Sequence, residues 1–367
     1  MERISIAMPI FNGNEKKYLN ECIDTGWVSA NGRFIDEFQK KFAEFCGVKY
    51  ALACSNGTVT LHLALLALGI GPGDEVIMPT LTYIATANAV RYCGAIPVFV
   101  DSEFDTWNID PSEIERAITK KTKAIIPVHL YGLPANMTEI MKISKKYKIP
   151  VIEDAAEAHG AMWNEKRVGS IGTIGSFSFF GNKIITSGEG GMLVTNDEKL
   201  YKRMKFLRSQ GVDLKKKYWH LELAYNYRMT NMQAAVGLGQ LEKIEWHMSE
   251  RIRVASLYKK YLKGVEGVVE QRIPKNAVHS YWMYTIVLSN KIKKSRDEVM
   301  DYMEKQNIEM RPVFYPMHVM PPYYNPMLNC KNAEQISKRG INLPTHSQIT
   351  ENHVKYIVDC LRKAITE

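Results

Sequence analysis

The sequence has no long hydrophobic run, no internal repeat and no low-complexity tract. No stretch approaches the ~18 uninterrupted apolar residues that a membrane-spanning helix needs, so we expect no membrane association. The first seventeen residues, MERISIAMPIFNGNEKK, contain neither a continuous apolar core nor a small-residue cleavage site, and we therefore expect no secretory signal. Apolar residues make up 46% of the chain and charged residues 24%, a composition that excludes disordered and fibrous proteins.

Cysteine is scarce and unpaired. The six cysteines lie far apart and form none of the CxxC pairs that are typical of zinc sites. We interpret them as reduced thiols of a cytoplasmic protein, and we expect no metal. They are Cys22, Cys46, Cys54, Cys93, Cys330 and Cys360.

The charge balance is basic, with 48 Lys and Arg against 39 Asp and Glu, which gives a formal net charge of +9. Such an excess is compatible with nucleic acid, and equally with an acidic small substrate such as a sugar nucleotide. The longest basic run is Lys215, Lys216 and Lys217. No helix-turn-helix, zinc-finger or RNA-binding signature accompanies that run, so a solvated surface is the favoured interpretation.

Strand and helix patterns alternate between residues 49 and 195. At ~150 residues per domain, a chain of 367 residues predicts about two domains. Alternating strands and helices favour a mostly parallel sheet covered on both faces, with its ligand at the carboxyl ends of the strands. Asp110, Pro111 and Glu113 are typical of a helix start, as cap, first residue and a carboxylate that reaches back. The predicted strands are 50–54, 75–78, 97–100, 124–128, 151–153, 176–179 and 192–195, and the predicted helices are 58–68, 84–92, 111–118 and 137–147.

The rest of the chain predicts helical links and a smaller α+β domain. Residues 231–263 lack proline and carry apolar side chains at helical spacing, which indicates one long helix or two in series. An aromatic strand at 281–287 and amphipathic helices at 296–305 and 352–363 follow.

Candidate functional residues follow three of the predicted strands, and the first two sites are a helix start and a pair of carboxylates. The tetrapeptide SNGT at 55–58 opens a helix, where free N–H groups and the helix dipole suit a phosphate, although the same residues also make a simple N-cap. Asp154 ends a buried strand and Glu157 follows it. Carboxylates at such an edge are costly unless something pairs with them; the alternative is a capping Asp154 with a solvated Glu157. His159 is more typical of a structural residue than of a metal ligand, because no second ligand stands at usable spacing.

Lys183 follows the run of aromatic residues in SFSFFGNK at 176–183. A lysine placed against buried aromatics is desolvated, which lowers the pKa of its amine and makes it nucleophilic near neutral pH. A solvated lysine at a strand end is the alternative interpretation of this residue alone.

The three elements together fit pyridoxal phosphate. That cofactor needs an amine for its aldehyde, an anion site for its phosphate and a carboxylate that keeps its pyridine nitrogen protonated. Lys183, Gly57 with Thr58, and Asp154 meet those needs at strand ends of one sheet, and Tyr83 can cover the ring.

The sequence resembles the DegT-type nucleotide-sugar aminotransferases, which are pyridoxal phosphate enzymes, over nearly its whole length. The motifs that carry the resemblance are SNGTVTLHLAL, GPGDEVIMPTLTYIATANA, PVHLYG, VIEDAAEAHGA, SFSFFGNKIITSGEGGMLVTND and YNYRMTNMQAA. Within the family, the chain is most similar to the branch that aminates GDP-4-keto-6-deoxy-D-mannose at C4. The supporting stretches are SFFGNKIITSGEGG, AYNYRMTN, KKKYWH, RPVFYPMHVMPPY and GINLPTH.

The resemblance implies an α/β fold, the fold type I of the aspartate aminotransferase-like transferases. We expect a large domain at residues 1–245 with a mostly parallel seven-stranded sheet, and a linking helix with a small α+β domain at 246–367. The family also forms homodimers with shared active sites, and we expect the same here.

The resemblance further implies a role for each site residue. Lys183 is the catalytic lysine that condenses with the cofactor and carries the proton, and a related dehydratase group has histidine at its position. The other implied cofactor contacts are Asp154 at the pyridine nitrogen, Glu157 near the 3-hydroxyl, Gly57, Thr58 and Ser178 at the phosphate, Tyr83 against the ring, and Asn226 from the neighbouring subunit. The candidates for the sugar-nucleotide cleft are Trp219, His220, Arg311, Tyr315 and His318.

The implied reaction moves an amino group from L-glutamate to the C4 ketone of the GDP-linked hexose, releasing 2-oxoglutarate. The same chemistry on a UDP- or dTDP-linked 4-keto-6-deoxyhexose is the nearest alternative. A 3-ketosugar or cyclitol aminotransferase shares the cofactor residues and is a second. A non-catalytic DNA-binding or regulatory protein on the same fold accommodates the charge of +9, but leaves the positions of Lys183, Asp154, Thr58 and Ser178 unexplained. The sequence does not discriminate glutamate from glutamine as donor.

Overall fold

The computed structural model describes residues 2–213 and 215–366. Its helices are α1 Glu15–Thr25, α2 Arg33–Cys46, α3 Gly57–Ala67, α4 Ala85–Tyr92, α5 Pro111–Ala117, α6 Met137–Tyr147, α7 Glu198–Arg208, α8 Asn231–Leu241, α9 Ile244–Leu262, α10 Arg296–Lys305, α11 Lys331–Arg339 and α12 Glu351–Thr366, with 3-10 turns at Leu130–Gly132, Met317–Val319 and Pro321–Tyr323. Its strands are β1 Tyr50–Cys54, β2 Glu75–Pro79, β3 Ile96–Val100, β4 Thr122–Ile125, β5 Ile152–Asp154, β6 Met162–Trp163, β7 Lys166–Arg167, β8 Ile174–Ser178, β9 Gly191–Thr195, β10 Val268–Glu270, β11 Ala277–Val278, β12 Tyr284–Leu288, β13 Arg311–Pro312 and β14 Gly340–Leu343.

Seven strands form one sheet in the order β3-β2-β4-β5-β8-β9-β1. Two sets of paired strands, β3-β2-β4 and β5-β8-β9-β1, are joined by the parallel bridges Ile125↔Val151 and Val128↔Asp154. Every pairing from β3 to β8 is parallel, and β9 runs antiparallel to both of its neighbours. The prediction of a large, mostly parallel, seven-stranded sheet is therefore confirmed.

Most element boundaries agree with the sequence pattern, and the exceptions have local causes. Strand β4 ends at Ile125 rather than at residue 128, because Pro127 has no N–H to continue the ladder. The aromatic strand begins at Tyr284 rather than at 281, because the backbone of Tyr281 has a left-handed φ of 49°. Segment 231–263 forms two helices in series, since the chain leaves helical geometry at Lys243.

At the start of α5, the predicted cap and first residue are confirmed, whereas the predicted contact of the third residue is not formed. The side chain of Asp110 accepts a hydrogen bond from the Ser112 N–H, and Pro111 occupies the first turn. The carboxylate of Glu113 does not reach back to the cap, because it pairs with Arg116 one turn further along.

Aromatic packing fixes one face of the sheet. Helix α2 places Phe34, Phe38 and Phe42 on one stripe at intervals of four residues, and all three are buried. Phe42 meets Phe177 of β8 edge-to-face with ring centroids 5.0 Å apart, and Phe38 lies 5.0 Å from Phe179. Such pairs add about 0.5–1.5 kcal/mol each beyond the area they bury. This packing holds the end of β8, and thus the segment that carries Lys183.

The C-terminal part of the chain forms a second, antiparallel sheet in the order β10-β12-β14-β13. Helices α9, α10 and α12 supply apolar side chains to a separate core beside this sheet. The chain start joins this part, because Ile4 pairs with Ile308 and is buried in the same core. The expected boundary between residues 245 and 246 falls in the first turn of α9 and stays a prediction. None of the helices in the described part of the chain has the length and apolar character that crossing a bilayer requires.

The hydrogen bonds of the Glu153 carboxylate hold β5 in place, and a substitution of this residue tests their contribution to stability. Its buried carboxylate accepts hydrogen bonds from the N–H groups of Gly169, Ile171 and Gly172 at 2.8, 2.7 and 2.6 Å, and pairs with His129 at 3.0 Å. In Glu153→Gln one acceptor oxygen becomes an NH2 group that faces backbone N–H donors. We expect the free energy of unfolding to fall by about 2–4 kcal/mol, as for other broken buried charge networks.

Urea unfolding of Glu153→Gln beside the parent protein measures this difference. The control is Glu139→Gln on α6, where an exposed carboxylate pairs with Lys142 and little change is expected. Equal midpoints and slopes for the two variants would show that the Glu153 network does not hold β5.

Candidate active site

The carboxyl edge of the large sheet opens into a cavity of about 680 Å³. The end of β5, the end of β8, the start of α3 and residues of the C-terminal part all contribute to its lining. Of the predicted site residues, the structure brings these to the cavity: Gly57, Thr58, Tyr83, Asp154, Glu157, Ser178, Lys183 and Arg311.

Lys183 lies in the turn that follows β8. Its backbone N–H donates to the carbonyl of Phe180 at 2.9 Å, which fixes the turn. The amine Nζ lies 3.9 Å from the ring centroid of Trp282. Burial lowers the pKa of this amine, while the negative charges of Glu157 and Asp154 oppose that shift. A lysine in this state can act as a nucleophile and as a proton carrier near neutral pH.

Asp154 is a buried carboxylate held by two hydrogen bonds. Its Oδ2 accepts from the Thr86 hydroxyl at 2.8 Å, and its Oδ1 accepts from the Ala156 N–H at 3.2 Å. Burial raises the pKa of this carboxyl, whereas the Thr86 hydroxyl, the Ala156 N–H and the charge of Lys183 lower it. A cationic ring nitrogen beside Asp154 would offset the cost of burying its charge.

Glu157 lines the same cavity, and its carboxylate is held by a residue with an uncommon backbone conformation. Its Oε2 accepts a hydrogen bond from the Tyr131 N–H at 2.7 Å. Tyr131 has a left-handed backbone, with φ 57° and ψ 10°, and the following Gly132 has φ 104°. A non-glycine residue in this region is uncommon and clusters at functional sites. Burial raises the pKa of Glu157 and the charge of Lys183 opposes the shift.

The start of α3 is built to receive an anion. Asn56 caps the helix by accepting from the Val59 N–H, and no residue in 2–213 or 215–366 accepts a hydrogen bond from the N–H of Gly57 or Thr58. Gly57, Thr58 and Ser178 all line the cavity. A Cβ on Gly57 would lie 2.6 Å from the Cβ of Ser178, so only glycine leaves this corner open. Two free N–H groups, two hydroxyls and a helix dipole fit a phosphate.

These observations test the fit of pyridoxal phosphate to the residues present. The cavity offers a desolvated amine, a buried carboxylate that contacts no cationic group among the described residues, and an anion-binding corner at a helix start. Those are the three groups that the cofactor requires. Within the described part of the chain, no group of three His, Cys, Asp or Glu side chains is placed to hold a metal.

Comparison with known proteins gives the family. Residues 9–362 match the model of the DegT/DnrJ/EryC1/StrS aminotransferase family, which is nearly the whole chain. The chain belongs to this family.

Named relatives and solved structures agree with that membership. The chain is 49% identical to GDP-perosamine synthase of Caulobacter vibrioides over 367 residues, which is 100% of this chain and 99% of that protein. It is 47% identical to GDP-perosamine synthase of Escherichia coli O157:H7, over 99% of both chains. The PLP form of the putative sugar aminotransferase Spr1654 from Streptococcus pneumoniae superposes with a TM-score of 0.93 at 25% identity, covering 99% of this chain and 98% of that one.

The protein is therefore a pyridoxal phosphate-dependent aminotransferase with the type I fold. The roles of individual residues within the family site rest on the geometry described above, and they stay predictions.

Some predicted residues of the aminotransferase lie outside this cavity in the single protomer. Asn226 is exposed, and its Oδ1 accepts from the Arg228 side chain at 3.0 Å. Trp219 is exposed beneath the amine of Lys216, and His220 bonds the carbonyl of Gln210 at 2.8 Å. All three belong to the connection between α7 and α8, whose described residues do not line the cavity.

The other candidates for the sugar-nucleotide cleft have different surroundings. Arg311 lines the cavity and pairs with Glu309 at 3.3 Å. Tyr315 lies outside it, where its hydroxyl accepts from Arg296 at 3.0 Å. His318 is buried and contacts Thr80 at 2.7 Å and Glu334 at 3.1 Å, so its ring is already bonded on both sides. The structure thus gives Tyr315 and His318 structural partners instead of access to the cavity.

Sequence reasoning missed several cavity residues. Thr86 holds Asp154 from the first turn of α4, and Tyr131 holds Glu157 from the PVHLYG motif. Trp282 donates its Nε1–H to the Asn182 carbonyl at 2.8 Å from 100 positions further along the chain. The family motifs contain Thr86 and Tyr131, but nothing local in the sequence links Trp282 to the lysine.

The hydrogen bond between Thr86 and Asp154 generates a prediction about pH. Removing the hydroxyl in Thr86→Val takes away a bond that lowers the pKa of Asp154, so this pKa rises. The charged carboxylate is then lost at higher pH as the solution is acidified. We expect the acidic limb of kcat to move to higher pH and kcat at neutral pH to fall by about tenfold, the cost of a hydrogen bond to a charged group.

The matched variants are Asp154→Asn and Thr195→Val. Asp154→Asn removes the charge itself, so we expect a loss of at least about a hundredfold and no pH limb from this group. Thr195 is the last residue of β9, and its buried hydroxyl donates a hydrogen bond to the carbonyl of Thr173. We expect Thr195→Val to keep the pH profile of the parent protein. An unchanged acidic limb in Thr86→Val would contradict the assigned role of Asp154.

Proposed function

We propose that the protein transfers an amino group from L-glutamate to the C4 ketone of GDP-4-keto-6-deoxy-D-mannose, producing GDP-perosamine and 2-oxoglutarate. The observation that carries the substrate is the similarity, over the whole chain, to two proteins named GDP-perosamine synthase at 49% and 47% identity. The cavity supports the chemistry, because its lining holds a desolvated lysine and two carboxylates. Its volume of about 680 Å³ is within the range of small-molecule sites.

Pyridoxal phosphate, when bound, supplies an electron sink that stabilises the charge left on carbon when a proton departs. Lys183 supplies the base, since it is the one lysine among the described residues that line the cavity. Its amine takes the α-proton of the amino donor. In the second half of the cycle the same amine gives a proton to the carbon that was the C4 ketone of the hexose.

Asp154 and Glu157 would interact with different groups of the cofactor. The Thr86 hydroxyl and the Ala156 N–H favour the charged form of Asp154 against the effect of burial, and Asp154 would hold the protonated pyridine nitrogen. Glu157 is fixed by the Tyr131 N–H and would lie by the 3-hydroxyl. Both charges also favour the protonated form of Lys183, which lets the amine keep a proton between its two transfers.

One cavity has to accept both substrates in turn. Glutamate leaves as 2-oxoglutarate before the sugar nucleotide enters, so the kinetics are of the ping-pong type. Arg311 stands at the cavity wall and would bind the donor carboxylate or the diphosphate, since a guanidinium pairs with either in bidentate geometry.

We further propose a cytoplasmic homodimer with shared sites. Asn226 would reach the phosphate in the partner's cavity, and Trp219 and His220 would face the partner's sugar nucleotide. Large apolar side chains that are exposed on the protomer support this assembly, among them Trp27 at 58%, Tyr218 at 82% and Leu223 at 89%. Sedimentation at micromolar concentration tests it: a species of 41.9 kDa alone would contradict the dimer.

The substrate is tested by a direct comparison. Purified protein with pyridoxal phosphate and glutamate is given GDP-4-keto-6-deoxymannose or dTDP-4-keto-6-deoxyglucose, and both 2-oxoglutarate and product mass are followed. We expect kcat/KM for the GDP sugar to exceed that for the dTDP sugar by about a hundredfold or more, since a pocket built for polar groups rejects substrates that leave them unpaired.

Lys183→Ala is the control in the same assay. It should lose turnover of both sugars, whichever is preferred. A preference for the dTDP sugar would contradict GDP-perosamine synthesis and keep the proposed role of Lys183. Retained turnover in Lys183→Ala would contradict that role itself.

A further inference from the structure

The amine of Lys183 has one close partner in the described residues, and it is aromatic. Nζ lies 3.9 Å from the ring centroid of Trp282. No carboxylate in residues 2–213 or 215–366 comes within 4.0 Å of Nζ, so Asp154 and Glu157 act on it only from a greater distance. An ammonium at 3.9 Å over an indole face is in cation–π contact, and indole is the strongest of the aromatic partners.

Trp282 is held rigidly enough to serve as a fixed surface. It is 5% exposed. Its Nε1–H donates to the Asn182 carbonyl at 2.8 Å, and its own carbonyl accepts from the buried Arg251 guanidinium at 2.9 Å. Its ring stacks on Tyr131 with centroids 6.2 Å apart and planes 19° apart.

Trp282 is one end of a continuous row of rings, which we call the aromatic wall: Trp282, Tyr131, Phe314 and Tyr83. Tyr131 stacks on Phe314 at 5.3 Å, and Phe314 contacts Tyr83 at 5.8 Å. All four line the cavity. The rings of the wall alternate between the C-terminal part of the chain and the large-sheet part, so the indole that faces Lys183 is set by packing from both.

We propose that Trp282 is a positioning residue whose indole face binds the protonated amine of Lys183 whenever that amine is free. The indole N–H fixes the carbonyl of Asn182, the residue before the lysine, while the ring face receives the lysine's charge. A single side chain thereby sets both the place of the amine and the balance of its two protonation states.

This contact answers a problem that burial creates. A desolvated lysine tends to stay neutral, yet a proton carrier has to hold its proton between two transfers. A carboxylate in direct contact with the Lys183 ammonium would stabilise the bound proton too strongly and would hold the amine away from the substrate. A ring face attracts the cation without accepting the proton, so the amine stays free to transfer it.

The inference rests on the proposed role of Lys183 as the reactive amine, and its test uses protein without cofactor. Lys183 is methylated with formaldehyde and cyanoborohydride over a range of pH, and the labelled peptide is quantified by mass spectrometry. The rate follows the neutral fraction of the amine, so its midpoint reports the pKa. Lys166, on the exposed hairpin strand β7, is the internal reference.

Trp282→Leu keeps an apolar side chain without a ring face. We expect the midpoint of Lys183 to fall by about one pH unit, because a desolvated cation–π contact contributes on that scale. Trp282→Phe keeps an aromatic ring with a weaker cation–π interaction, so we expect its Lys183 midpoint to lie between those of the parent protein and Trp282→Leu. Trp163→Leu is the matched control: Trp163 is also buried and donates its Nε1–H to Thr138 at 2.8 Å, but it lies away from Lys183. It should leave the midpoint unchanged.

If Trp282→Leu does not fold, the same midpoint is measured on protein that carries fluorinated tryptophan at position 282. Successive fluorine atoms weaken the negative face of indole and barely change its shape. The midpoint should then fall stepwise with the number of fluorine atoms, and a purely steric role predicts no trend.

An unchanged midpoint, or one that rises as water enters, would overturn the role of Trp282. That result would leave the loss of turnover in Lys183→Ala intact, so it is distinct from a failure of the proposed function.

Discussion

Keeping a lysine amine desolvated at the edge of a parallel sheet is the constraint on which this site depends. Burial lowers the pKa of Lys183, and two carboxylates that do not touch it limit the shift. The carboxylates are buried as well and need their own partners: the Thr86 hydroxyl for Asp154 and the Tyr131 N–H for Glu157. The strained backbone at Tyr131 follows from this requirement, because it aims an N–H at Glu157. The chemistry of the amine is thus set by residues from four separate segments.

One rule predicts the fold from the sequence and brings the candidate cofactor residues together. Carboxyl ends of parallel strands meet at one edge, so the end of β5 with Asp154 and the end of β8 with Ser178 and Lys183 had to lie together. The helix that begins at Gly57 points its N-terminus at the same place. Seven strands could be placed because each is a short apolar run between clear breaks, and the errors at β4 and β12 came from single residues, Pro127 and Tyr281.

The parts that could not be predicted depend on contacts between distant segments. Nothing near Trp282 shows that its indole meets Lys183, because the contact arises only when the C-terminal part closes over the sheet. Tyr315 and His318 stand in a motif-rich stretch, but their polar atoms are taken by Arg296, Thr80 and Glu334. Trp219 and Asn226 are exposed on the protomer, and their roles in the site stay predictions that depend on the proposed dimer.

Chemical labelling shows directly which lysine carries the cofactor. The holoenzyme is reduced with borohydride, digested, and mapped by mass spectrometry for the residue that carries the pyridoxyl group. We expect stoichiometric label on Lys183, the residue that directly follows SFSFFGN in the sequence, and no label when glutamate has released the amine before reduction. Label on another lysine, or a cofactor that dialyses away after reduction, would contradict the assignment of Lys183.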